Sequence, residues 1–432
     1  MAAAIPSTRA QRVVVTALAA ALAISILAVG HQAKRPAPDF ATRYAAGIAV
    51  AHSSDPYASS VTAPIERALL GRKLDYPFRD PPPTAWAFRA MSTIPYDVAT
   101  RLWLAVILIA AFACTWLTFG IVGVEVEGVL GWAILVAIAL DFAPLRDGIS
   151  RLQIDPFVAS LTLAATVAAA KPGSGVAQAL ATMKPQTSLL ASAGGLARGR
   201  FRFVVELIVG WLLLVGATAI AAQAGTGPSW RRWVHALHGA NRSHSGGAVA
   251  ITLIVVLVAC SLSVRLLRSP RGWSRPVWLL AIAACINGAV APLVFSNSQS
   301  DVLLLVPLLL AGLTPWRTAL QKTLYGGALG VFAVSGLFAV TYHSGVTHAA
   351  VPLAVAALLA TVGVAMFPKR ISTFAIALGV NITVTALPLT PRTYDWLGCA
   401  ASLALLYLLA GVQGPILDGS RRDTRASAQG TC

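Results

Sequence analysis

The sequence predicts an all-α integral membrane protein, a single polytopic domain over residues 1–432. Three observations carry this reading. Hydrophobic residues make up 57% of the chain and charged residues only 11%, where soluble domains hold roughly 25%. The mean hydropathy is +0.73. The apolar residues come in long runs separated by short, mostly basic turns. A soluble surface needs polar cover that this chain lacks, and disorder needs low hydrophobicity.

The formal charge of +17 would suggest a nucleic-acid partner in a soluble protein. Here the basic residues sit in loops beside apolar runs, the pattern of topology signals and of contacts with anionic lipid. There is no aromatic-basic stripe. Nucleic acid is therefore excluded, and membrane lipids are expected partners. Cys114, Cys260, Cys285, Cys399 and Cys432 show no paired spacing and read as packing residues.

Thirteen apolar runs follow in order: 13–30, 102–124, 129–143, 156–170, 176–197, 203–222, 248–267, 276–296, 302–313, 318–340, 349–366, 371–389 and 395–411. A crossing helix needs about 20 apolar residues, so several are short. The first resembles a signal peptide, but its long core without a small-residue cleavage site reads as an uncleaved anchor.

Arg9 and Arg12 place the N-terminus in the cytoplasm. If all the runs crossed, most later basic clusters (198–202, 268–275, 317–322, 369–370, 421–425) would lie outside. If 176–197 enters and returns on one side, all lie inside. That run carries Lys184-Pro185 at its middle and Gly194-Gly195 near its end. Lysine followed by proline breaks a helix and sets a charge at depth. The expectation is about twelve crossings, one broken re-entrant segment, and a cytoplasmic basic tail over 412–432.

This topology puts 31–101, 144–155, 223–247, 297–301 and 341–348 outside, with a short outer turn at 390–394. The largest outer loop, 31–101, starts with an expected amphipathic helix over 39–52, and its stretch 55–83 is turn-rich. Asp39 falls where a helix N-cap would stand and also at the lipid–water boundary. Capping and general-base chemistry both fit it.

Other side chains also carry two readings. Lys184 is either a deep functional cation or a snorkelling residue of a tilted helix. Arg79 and Asp80 either serve a site or pair with each other in the loop. Gln153 and Gln299 fit caps or loops as well as a site, and Asp301 fits the N-cap of 302–313. In 223–247, Trp230, Arg231, Arg232 and Trp233 suit an interfacial aromatic belt better than sugar stacking. His235 and His238 lack a carboxylate or cysteine beside them, so no metal site is expected.

The ordered series Asp39-Phe40, Tyr44-Ala45, Asp55-Pro56-Tyr57 and Tyr76-Pro77-Phe78-Arg79-Asp80-Pro81-Pro82 resembles the first outer loop of the glycosyltransferase 87 family. Leu152-Gln153-Ile154-Asp155 is similar to its Gly-Gln-x-Asn element and Met183-Lys184-Pro185 to its Lys-Pro element. Ser298-Gln299-Ser300-Asp301 resembles a polar pair opening a late span. The departures are Phe78-Arg79-Asp80 for the usual Tyr-x-Tyr, Arg151-Leu152 where Gly is common, and Asp155 for Asn.

The resemblance implies a GT-C-like bundle in the plasma membrane with its active site on the outer face. It implies a glycosyltransferase that moves a sugar from a polyprenyl-phosphate donor to a glycolipid or lipid-linked glycan acceptor, with inversion. Mannose is preferred because more family branches use it; arabinofuranose is the alternative. Asp39 would be the general base. Arg43, Arg79 and Lys184 would face the donor phosphate, and Tyr44, Tyr57, Asp80, Gln153, Gln299 and Asp301 would contact substrate. No metal and no other cofactor is implied.

Two further readings compete. A secondary transporter would show repeated halves with ionisable residues in matching broken helices, but only Lys184 is deep and no repeat is evident. A non-catalytic envelope protein would explain the charge and the runs, but not the ordered motif series.

Overall fold

The computed structural model describes residues 13–14, 16–20, 37–71, 78–198, 201–225, 227–241, 275–295, 302–314, 316, 318–344, 370–386 and 391–411. Among the described residues there are seventeen helices and no strand. Runs 248–267 and 349–366, most of 13–30 and the tail 412–432 lie outside them.

The segment expected as the first outer loop contains three short helices: α1 (Pro38–Ala51), α2 (Ser59–Leu70) and α3 (Pro82–Met91). Proline at or near the first position starts α1 and α3, where the missing N–H removes no intrahelical bond. The expected turn-rich stretch 55–83 therefore contains a 12-residue helix, α2, despite Pro64 inside it. At that early position proline removes one helical bond, and the helix still buries Thr62, Ala63 and Glu66. Helices α1 and α3 pack closely at Gly47, where an added Cβ would strike the Phe88 carbonyl. Gly47→Ala is expected to destabilise the protein by about 1–3 kcal/mol, read as a lower thermal midpoint of the detergent-solubilised chain.

Two helices are long and apolar enough to cross a bilayer, α4 (Tyr96–Val122) and a later one, Phe201–Gln223. Their outward side chains include Ile109 at 69% and Ile220 at 69% exposed, tolerable in lipid and costly in water. Between them lie α5 (Gly128–Asp141), α6 (Ala143–Arg151), α7 (Asp155–Val167), α8 (Ser174–Ala181), α9 (Pro185–Ser188) and α10 (Ser192–Arg198). Counting on, Phe201–Gln223 is α11, followed by α12 (Trp230–Asn241), α13 (Arg275–Phe295), α14 (Leu305–Leu313), α15 (Ala319–Ser344), α16 (Ile371–Ala386) and α17 (Pro391–Gly411).

Runs 129–143, 156–170 and 302–313 give helices of only 14, 13 and 9 residues. These are shorter than the roughly 20 residues of a full span, so the expected crossings do not follow from the described helices alone. Helix α14 instead sits inside the main core, with Leu304, Val306 and Ala311 fully buried around it. Cys114, Cys285 and Cys399 are buried free thiols, as packing residues should be.

The expected break in 176–197 is present. The chain leaves helix at Thr182 and restarts at Pro185, with Lys184 outside helical geometry at φ −130 and ψ 83. Freed carbonyls find side-chain donors: Thr84 donates to Met183 (2.9 Å), Ser188 to Ala181 (2.9 Å), and Gln178 to Ser188 (3.2 Å). Broken backbone buried away from water requires such partners. Gly194-Gly195, near the end of the run, lie inside α10. Their size lets α10 approach α13, where a Cβ on Gly194 would stand 3.0 Å from the Leu280 Cβ.

Candidate functional site

The site begins with the placement of α1. Phe40 is fully buried among Phe88, Tyr96 and Trp103, with ring centroids 5.9, 5.7 and 6.4 Å away. The Trp103 indole donates to the Leu152 carbonyl at 2.9 Å. One aromatic cluster thus fastens α1, α3, α4 and the α6–α7 turn together. That brings residues 39–43 against residues 151–155.

Asp39 does not cap α1. The N-cap is Ala37, and no side chain caps it. Pro38 starts the helix one residue earlier than expected and moves Asp39 into the first turn. The carboxylate there faces the positive end of the helix dipole. It accepts a short hydrogen bond from Gln153 Nε2, and the Arg151 guanidinium lies 4.0 Å away.

Arg43, one turn on, is the hub. Its Nε donates to Asp80 at 2.6 Å, its Nη1 to the Asp39 carbonyl at 3.2 Å, and its Nη2 to Gln153 Oε1 at 2.7 Å. Burial alone would lower the Arg43 pKa, but Asp80, Asp39 and Asp155 outweigh it and raise the value. The guanidinium stays charged. Asp80 pairs with Arg43, not with Arg79 as the loop ion-pair reading expected. Arg79 has an exposed side chain, and its carbonyl accepts from the Trp233 indole at 2.9 Å.

Behind Gln153 lies a fully buried ion pair between Lys184 and Asp155, which are 2% and 0% exposed. Thr187 donates to the other Asp155 oxygen at 2.7 Å. Lys184 also lies 3.5 Å from Gln153 Oε1. The snorkelling reading of Lys184 is thereby excluded, because its ammonium points into protein. Asp155 was legible only as a departure from the motif. A carboxylate in place of an amide, in a chain with a lysine at depth, was the available signal.

Arg151 and Asp147 were also absent from the expected site residues. Arg151 bridges Asp147 (2.9 Å) and the edge of Asp39, with its side chain 28% exposed. Leu152, next to it, is one of two non-glycine residues at positive φ among those described, at φ +54. It ends α6 in a left-handed cap and turns Gln153 toward Asp39. A side chain in this region costs roughly 1–2 kcal/mol that glycine avoids. Leu152→Gly is therefore expected to be more stable than Leu152→Ala by about 1 kcal/mol, the reverse of the usual order, in thermal denaturation of the two variants.

The other expected contacts divide. Tyr44 and Tyr57 are buried, and their hydroxyls donate to the carbonyls of Ile94 (2.6 Å) and Asp80 (3.1 Å). Burial, then Asp80 and Asp55, raise the Tyr57 pKa, so the phenol stays a donor. Both tyrosines brace the loop. Gln299 and Asp301 lie outside the described residues, as does Tyr76-Pro77. Helix α12 docks on the loop through Arg232–Asp55 (3.1 Å) and Trp233, and the Trp230 indole donates to Thr218 (2.9 Å). Both indoles thus donate to protein acceptors.

Fold and site together give a helical protein with apolar spans and a buried cluster of charged side chains beside the helices of residues 38–91. Residues 78–249 match the family model described as Glycosyltransferase family 87. The match, over about 40% of the chain, bears out the resemblance seen in the motifs. It covers Asp80, Gln153, Asp155 and Lys184, and begins after Asp39. No curated protein and no solved structure matches the chain.

Proposed function

We propose that the protein transfers a sugar, preferably mannose, from a polyprenyl-phosphate donor to a glycolipid or lipid-linked glycan at the outer membrane face. Asp39 takes the proton of the acceptor hydroxyl. The oxygen then attacks the anomeric carbon, the lipid phosphate leaves, and the anomeric configuration inverts. A phosphate leaves without much protonation, so one base suffices. The observation that supports this best is the carboxylate of Asp39 held by Gln153 within a network of buried charges.

The leaving phosphate needs cations. Arg79 and Arg151 suit it better than Lys184, because their side chains reach solvent while Lys184 is paired and buried. Arg43 orders the acids around it.

The test is a membrane assay with radiolabelled polyprenyl-phosphate-mannose. Label should pass to a lipid or glycan with wild type and not with Asp39→Asn. Persistent transfer by a folded Asp39→Asn protein removes Asp39 from the mechanism. Transfer only from the arabinofuranose donor would change the sugar and keep the mechanism. No transfer from either would favour a transporter or a non-catalytic envelope protein.

A further inference from the structure

We infer that Gln153 is the positioning residue for the Asp39 carboxylate, and that the buried Lys184–Asp155 pair locks the direction of its amide. The inference rests on the reading of Asp39 as the base. An amide can turn either its NH2 or its oxygen toward a carboxylate, with attraction in one case and repulsion in the other. Arg43 and Lys184 decide the matter. Both are donors without any acceptor, and both face Oε1, at 2.7 and 3.5 Å. Nε2 must therefore point at Asp39, as it does.

The cation pair around Oε1 is itself fixed. Asp155 and Thr187 hold Lys184 from behind, and Asp80 holds Arg43 from the side. A buried ion pair is expensive, and an apolar pair of similar volume commonly serves stability as well or better. A purely structural role does not explain why charges stand here. Nor does phosphate binding, because Lys184 is 2% exposed and its charge is engaged by Asp155. Orientation of Gln153 accounts for both.

The groups facing Asp39 are Arg43 on its own helix, Gln153 on the α6–α7 turn, and Arg151 on α6 with Asp147 behind it. Lys184 and Asp155 stand beyond Gln153, and Asp80 beyond Arg43. A second carboxylate at 153 would raise the pH at which Asp39 ionises.

The experiment uses full-length, detergent-solubilised protein and radiolabelled polyprenyl-phosphate-mannose, or the arabinofuranose donor if that is the one used. Gln153→Ala is expected to lower kcat about 10- to 100-fold while leaving the donor KM within about twofold, since misplacing a catalytic group can cost about 100-fold. Gln153→Glu keeps the side-chain shape and should move the acid limb of kcat/KM upward by about one pH unit or more. The double variant Lys184→Met/Asp155→Leu should fold with a near-wild-type thermal midpoint, yet lose kcat about tenfold. If Gln153→Ala fails to fold, the isosteric Gln153→Glu carries the test.

A raised donor KM with kcat retained would overturn the inference in favour of direct substrate binding. So would an unchanged kcat and pH profile in all three variants. If Asp39→Asn is inactive while these variants behave as wild type, only the positioning role fails. If Asp39→Asn is active, or neither donor is used, the underlying reading fails and the inference with it.

Discussion

Asp39→Asn is expected to reduce sugar transfer by about 10²- to 10⁴-fold, the usual contribution of a general base. Asparagine keeps the shape of the side chain, and its amide oxygen can still accept from Gln153 Nε2. Arg43 retains Asp80 and Gln153 as partners. The surrounding helices lose no packing, because Phe40 and its aromatic neighbours are untouched. The variant should therefore purify as a folded protein with a thermal midpoint close to wild type. The loss would then be chemical, about 3–5 kcal/mol of transition-state stabilisation at 1.36 kcal/mol per tenfold. Transfer within tenfold of wild type would show that another group takes the acceptor proton.

Lys184→Met should give the largest single loss of stability, about 3–5 kcal/mol, because breaking a buried pair strands its partner. Asp155 is 0% exposed, and it would keep only the Thr187 hydrogen bond and the longer-range charge of Arg43. The neighbouring backbone is also irregular, with Lys184 non-helical between α8 and α9. Adding Asp155→Leu should recover most of the loss by removing the stranded charge. Far-UV circular dichroism on heating, for wild type, single and double variants in one detergent, reads all three. A single variant as stable as wild type would mean that the pair contributes nothing to the fold.

Several parts of the fold were readable from local rules. The break at Lys184-Pro185 is one, because proline removes a backbone donor wherever it stands. The start of the loop helix near Asp39 is another, displaced by one residue because Pro38 is itself a favoured first position. The role of Gly194-Gly195 was not readable in this way: their absent side chains let α10 come against α13. That reason lies in a partner distant in the chain. The short helices α5, α7 and α14 belong with it, since an apolar run does not say whether its helix faces lipid or the core.

The sequence by itself determined that this is a helical, apolar, basic chain, and that six of its sixteen acids lie within residues 31–101. Composition, periodicity and proline act locally, so they can be read locally. Only the tertiary structure decided which charges meet. Arg43 chose Asp80 over Asp39's carboxylate as its ion-pair partner, Lys184 chose Asp155, and Gln153 came between them. Those partners lie 37, 29, 110 and 31 residues apart. Pairing over such separations depends on where aromatic packing and the Leu152 turn bring the helices, and on the need of each buried charge for a partner.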